Sequence, residues 1–179
     1  MRTHSGDNGL TESFGGGRIS KAAPSVQVLG DLDELNAFLG AAILTLPDSC
    51  ADIKSRLIAT QQFLFVIGGA FYTGSVGSDS AKVVEATLAL GSESDALQSA
   101  ASPIFSFEPP GGSAASVALN IARTVCRRAE RSAMAFFENK FPDDIALPDY
   151  DSALLAYLNR LSDYLYSAGR TANSRAGAI

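Results

Sequence analysis

The segment "RTVCRRAER", Arg123 to Arg131, holds four of the chain's fourteen Lys and Arg residues and one Glu, in a protein of net charge −5. Local basicity in an acidic chain suits a pocket for one anionic ligand. At about 100° per residue, Ser116, Asn120, Arg123, Arg127 and Glu130 fall on one helical face, while Arg128 and Arg131 point elsewhere. Asn159, Asp163, Tyr166 and Arg170 form a second polar stripe at the same spacing. Both stripes also fit plain solvated faces, on which Arg127 and Glu130 would make an i,i+3 pair worth about 0.2–0.5 kcal/mol.

Near the N-terminus, "THSGDNGLT" and "GGGRISK" combine flexible backbone, hydroxyls and the cations Arg18 and Lys21. Exposed backbone N–H groups beside a lysine can hold a polyphosphate, although neither GxxxxGK[ST] nor a strand-led GxGxxG is present and, taken alone, the stretch fits a mobile tail better. His4 is the sole histidine, so a Ser-His-Asp triad or a His-rich metal site lacks material. Cys50 and Cys126 form no ligand pattern and read as reduced, buried thiols of a cytoplasmic protein; no protein metal site is expected. Asp33 and Glu34 in "GDLDELNAFLG" suit the first turn of a helix, where negative charge meets the dipole. Phe107 in "FEPPGG" fits a core or loop aromatic.

These groups need a scaffold. The 179 residues, 46% hydrophobic and 18% charged, are enough for one self-sufficient domain. The acidic balance argues against nucleic-acid binding. The polar N-terminus lacks a signal peptide's apolar core, and the apolar run "FLFVIGGAF" is too short for a membrane span. Residues 1–31, rich in Gly and carrying Pro24, read as an irregular arm. Helices are expected from Leu32, with Asp31 as N-cap, to Leu46; from about Cys50 to Tyr72; from about Ala81 to Ala100; from an N-cap at Ser113 to about Asn139; and from about Asp151 to Ala172. Their apolar stripes are Leu32, Leu35, Leu39, Ala42 and Leu46; Ile53, Leu57, Leu64 and Ile67; Val83, Val84, Leu88, Leu90 and Leu97; Val117, Ile121, Val125, Ala129 and Phe136; and Leu154, Leu158, Leu161 and Leu165. No strand alternation or internal repeat stands out. The fold is an all-α five-helix bundle, ferritin-like in class, divided as arm 1–31, bundle 32–174 and tail 175–179.

Taken in order, "THSGDNGLT", "GGGRISK", "LDELNAFLG", "FEPPGGS", "ARTVCRRAER" and "YLNRLSDYL" make the chain resemble the PduO-type ATP:cob(I)alamin adenosyltransferases from about Thr3 to Ala172. The resemblance implies a homotrimeric five-helix bundle with sites between subunits. It implies transfer of the 5′-deoxyadenosyl group of ATP to cob(I)alamin, with Mg²⁺, giving adenosylcobalamin and triphosphate. A cobalamin reductase and an adenosylcobalamin-dependent enzyme follow as possible partners. By position, Thr3, His4, Ser5, Gly6, Thr11, Glu12 and Lys21 of the arm would bind ATP, with Arg127, Arg128, Glu130, Arg131 and Asn159 from the fourth and fifth helices. Arg127, Glu130 and Asn159 would be its catalytic members. Asp33 would pair with Arg123 across a subunit interface beside the corrin, and Phe107 would occupy the lower face of cobalt.

The chain departs from that pattern in places. His4 stands where the family's arm has Lys, and a histidine titrating near about 6.5 is mostly neutral at pH 7. Asn120 replaces a common His, and Glu108-Pro109 replace apolar residues before "PGG". The chain also ends at Ile179, soon after the fifth helix, without a longer family C-terminus. A non-catalytic ATP or cobalamin carrier and a structural helical oligomer are the rival readings.

Overall fold

A computed structural model describes residues 6–13, 16–73, 80–100, 109–140 and 149–177. Five helices, α1 (Pro24–Thr45), α2 (Ala51–Thr73), α3 (Ser80–Ala100), α4 (Ala114–Lys140) and α5 (Asp149–Arg175), follow a short hairpin of β1 (Leu10–Glu12) and β2 (Arg18–Ser20). The helices pack in the order α2, α1, α4, α5, α3, and α2 and α3 have only sparse direct contact. The buried members of the apolar stripes on all five helices supply much of one continuous core.

The first helix starts earlier than its sequence pattern implied. Pro24 occupies its first turn, where a locked φ is already helical and the missing N–H would have had no intrahelical partner. Gly30 lies inside the helix, a cost of about 1 kcal/mol carried by burial of Val28, Leu32 and Leu35 on either side. Asp31 is therefore not a cap but an internal residue, 4% exposed. Asp33 and Glu34 lie well beyond the first turn. The hairpin is a second departure: Leu10, Thr11 and Glu12 pair antiparallel with Ser20, Ile19 and Arg18, in strands too short to show alternation. Gly9 and Gly16 take φ values of 77° and 80° at its two ends, a left-handed region open to glycine.

Along α2 and α5 the expected leucine and isoleucine stripes are buried throughout. On α3, Val83, Leu90 and Leu97 are buried but Val84 and Leu88 face outward. On α4 the stripe is rotated. Val125 and Ala129 are buried as expected, but Val117 and Ile121 are 39% and 41% exposed, and Ala115, Leu119, Ala122, Cys126, Ala133 and Phe137 are buried in addition. Small side chains at Ala115, Ala122, Cys126, Ala129 and Ala133 let α1 and α5 approach closely, so packing distance outweighed side-chain size in choosing the face. Ser113 caps α4 as anticipated, its Oγ accepting from the Ser116 N–H at 3.1 Å. Asn173 of α5 braces the same turn, its Oδ1 accepting from the Ser113 N–H at 2.8 Å and from its Oγ at 2.9 Å.

Candidate functional site

The rotation of α4 also turns its polar stripe. Ser116 is 2% exposed and belongs to the core. Asn120 donates to the Ser116 carbonyl at 3.1 Å and lies against Gly169 of α5, where a Cβ would come within 3.3 Å of its Nδ2. Arg123 Nε donates to Asn120 Oδ1 at 3.2 Å. Asn120, Arg123 and Glu130 are half-buried, and Arg127 is the member of the stripe that is fully exposed.

There the two helices meet as their spacing implied. Asn159 Nδ2 donates to Glu130 Oε1 at 3.2 Å, joining α5 to α4. Arg127 lies one turn earlier and is exposed, with no ion-pair partner among the described residues. Its carbonyl accepts from Arg131 Nη1 at 3.0 Å, which lays the Arg131 side chain back along the helix. Beneath this face, Cys126 is fully buried and its Sγ donates to the Leu158 carbonyl at 3.2 Å. Burial, reinforced by the Glu130 carboxylate, pushes its thiol pKa up, so it is an inert packing group. The surface above it presents an uncommitted guanidinium next to an oriented carboxylate and amide, groups whose chemistry suits a polar anionic ligand.

Arg128 is held differently. It pairs with Glu34, and its Nε lies 3.4 Å from Asp31 Oδ1. Asp31 also accepts from Ser132 Oγ at 2.5 Å and Gln27 Nε2 at 3.1 Å. The hydrogen bond that Arg128 donates to Glu34 raises the arginine's pKa above the ordinary value. Asp33 lies on the same stretch of α1, exposed, and within one chain it makes no ion pair with Arg123. Leu29, Leu32, Asn36, Phe65 and Tyr72 line a groove of about 280 Å³ beside it.

The arm gathers Gly6 and Lys21. Lys21 Nζ donates to the Gly6 carbonyl at 2.7 Å, and the Lys21 N–H donates to the Gly9 carbonyl at 2.8 Å. Thr11 and Glu12 are adjacent on β1. Within one chain, no hydrogen bond joins these arm residues to Arg127, Glu130 or Asn159. Thr3, His4, Ser5 and Phe107 lie outside the described residues. Among the described residues no group of three or more His, Cys, Asp or Glu side chains could hold a metal.

Residues 1–172 match the cobalamin adenosyltransferase family. The chain belongs to that family. It is 35% identical over 179 residues to a corrinoid adenosyltransferase of Bacillus subtilis, covering 99% of this chain and 88% of that one. It is 37% identical over 177 residues to one from Mycobacterium tuberculosis, covering 96% and 87%. A variant of the PduO-type ATP:corrinoid adenosyltransferase from Lactobacillus reuteri, complexed with cobalamin and ATP, superposes with a TM-score of 0.84 at 27% identity, over 99% and 96% of the two chains. This cobalamin adenosyltransferase is thus a transferase on an all-α bundle.

Asp31 and Ser132 are the residues of this surface that motif reading passed over. The signal was present: Asp31 and Glu34 are three apart and share a helical face, from which Asp33 is rotated away. Read as a cap, Asp31 was taken out of that pattern.

Proposed function

We propose that this adenosyltransferase carries out 5′-deoxyadenosyl transfer from ATP to cob(I)alamin through the Arg127, Glu130 and Asn159 face. Electron density from Co(I) forms the cobalt–carbon bond at C5′ while the C5′–O bond breaks and its electron pair leaves on triphosphate. Cob(I)alamin is already a strong nucleophile, so no general base is required. The protein must align C5′ with cobalt and stabilise charge on the leaving triphosphate. Arg127 does the second job, with Lys21 and the arm's amides. Asn159 and Glu130, fixed by their mutual hydrogen bond, orient the nucleoside. The observation that carries the reading is the exposed Arg127 guanidinium beside that pre-formed pair.

Mg²⁺ suits this donor set only as a metal that arrives on the nucleotide's phosphates, since no carboxylate cluster exists among the described residues to hold it independently. Bound there, it would neutralise part of the triphosphate charge. The arm's separation from α4 within one chain supports a homotrimer in which an arm, the α4–α5 face and Asp33 meet between subunits. In that assembly Asp33 pairs with Arg123 beside the corrin. Phe107 excludes water and a lower ligand from cobalt, which eases its reduction by lowering metal coordination. No helix among the described residues is long and apolar enough to cross a membrane, and a cytoplasmic setting suits the reducing chemistry. A reductase that supplies Co(I) and an enzyme that receives the product are the partners this chemistry calls for.

Anaerobic incubation with ATP, Mg²⁺ and reduced cobalamin should convert the corrin spectrum to that of a cobalt–carbon species. ATP binding without that change would leave a carrier and overturn the reaction.

A further inference from the structure

Arg128 stands beside Arg127 in sequence but is committed to a different surface. One face of its helix carries Arg128 and Ser132, four residues apart, and the facing stretch of α1 carries Gln27, Asp31 and Glu34. Four side-chain contacts close this surface: Arg128 with Glu34, Arg128 with Asp31, Ser132 with Asp31, and Gln27 with Asp31. The central acid is buried, so its charge has to be met by those partners and no solvent substitutes for them. The outer pair is 43% and 44% exposed, and such a pair alone contributes little to stability. What the cluster supplies is geometry: it ties α1 to α4 at the level where α1 displays Asp33 and α4 displays Arg127.

We infer that Arg128 is a positioning residue for the corrin side of the site, and not a ligand of the triphosphate. By locking α1 on α4, it sets where Asp33 stands relative to Arg127, and so where the corrinoid lies relative to the departing triphosphate. The inference rests on the adenosyl-transfer reading above and reassigns one residue that the family resemblance places among the ATP contacts. Three features separate the roles. A phosphate ligand needs a guanidinium free to meet an anion, whereas this one already holds two carboxylates. Its partners lie on α1, and neither Glu130 nor Asn159 is among them. Asp31 is held by two further donors, Ser132 Oγ and Gln27 Nε2, that also belong to the α1–α4 contact.

The experiment is a charge exchange, read as separate KM values for ATP and for pre-reduced cob(I)alamin. Arg128→Glu should raise the corrinoid KM about fivefold or more while the ATP KM stays within about twofold, the pattern of a misplaced corrin surface. Adding Glu34→Arg recreates an ion pair of opposite polarity and should recover at least half of the rise in the corrinoid KM, the remainder reflecting the carboxylate now at position 128 beside Asp31. A triphosphate contact predicts the reverse: a raised ATP KM that the exchange cannot repair, because a carboxylate still stands at position 128. That result overturns the inference. Helical content by circular dichroism establishes folding. If Arg128→Glu does not fold, Glu34→Gln alone must raise the corrinoid KM measurably, and an unchanged value overturns the inference in the same way. An unmodified chain that fails to adenosylate cob(I)alamin overturns the underlying reading instead, so the two failures are distinguishable.

Discussion

The α2–α3 cleft and the α4–α5 face both gather arginines and acids, and they use their charge in opposite ways. Between α2 and α3 a cleft of about 390 Å³ is lined by Asp52, Ser55, Arg56, Ala59, Glu93, Ala96, Leu97 and Tyr164. It is larger than the groove beside Asp33, yet its charges are matched internally. Arg56 grips Glu93 with both ends of its fork, the Nε bond being 2.7 Å. Asp52 is taken by Arg175 at 2.5 and 3.0 Å. Burial pushes the Tyr164 phenol pKa up and keeps it neutral. On the α4–α5 face, by contrast, Arg127 has no acidic partner among the described residues and Glu130 is turned toward an amide. Size therefore does not identify the site. An anion binds where positive charge has not already been spent on the fold, because displacing a bidentate carboxylate costs much of what a new contact would return.

Substitutions can break this contrast, and the largest effect is expected at Arg127. Arg127→Ala should lower turnover at least tenfold, about 1.4 kcal/mol in the barrier, measured by the appearance of the alkylcobalt spectrum. An unchanged rate would remove Arg127 from the site and erase the distinction between the two surfaces. His4→Lys should sharpen it by restoring a fixed cation to the arm: ATP affinity measured by titration calorimetry should tighten about threefold, roughly 0.7 kcal/mol. No change would mean that His4 does not stand where the family's lysine does.

The α2–α3 cleft should respond in stability and not in rate. Arg56→Met removes a half-exposed bridge and should cost about 1 kcal/mol or less in a urea titration, with turnover within about twofold of the unmodified chain. A tenfold loss of turnover would make the cleft part of the reaction. The smallest effect is expected at Asp52, whose pKa the Arg175 bond holds below the usual carboxylate range. A depressed folded pKa gives stability that is present above the unfolded pKa, near about 4, and lost as the pH falls through the folded value. Relative to Asp52→Asn, the unmodified chain should be more stable at pH 7 by about 0.5 kcal/mol or less. That margin should close on acidification below about pH 4. A margin independent of pH would mean that the ion pair contributes nothing.

Much of the bundle was legible along the chain. Leu32, Leu35 and Leu39 of α1, Leu57 and Leu64 of α2, and Leu154, Leu158, Leu161 and Leu165 of α5 repeat at helical spacing and are buried; the two polar stripes were visible too, but the hydrogen bond from Asn159 to Glu130 was not. The misreadings have a common cause. Asp31 was read as a cap because Pro24 and Gly30 looked like breakers, yet a proline in the first turn is compatible with the helix it begins. Val117 and Ile121 were read as core because they are large and apolar, while the buried face runs through Leu119, Val125 and Phe137 with alanines and Cys126 between them. Sequence periodicity weighs each residue by its own hydrophobicity, whereas a helix chooses its face by how closely its neighbours can approach.

By itself, then, the sequence determined the class of fold, the family and the helices that carry the chemistry, because burial of periodic leucines and the order of six short motifs are properties of the chain alone. Tertiary structure alone decided which arginine is available. Arg127 and Arg128 are adjacent and chemically identical, and 100° of helical rotation turns one to solvent and the other onto two acids of α1. Whether a charge can meet a ligand depends on what already stands beside it, and that is settled only when distant segments pack together.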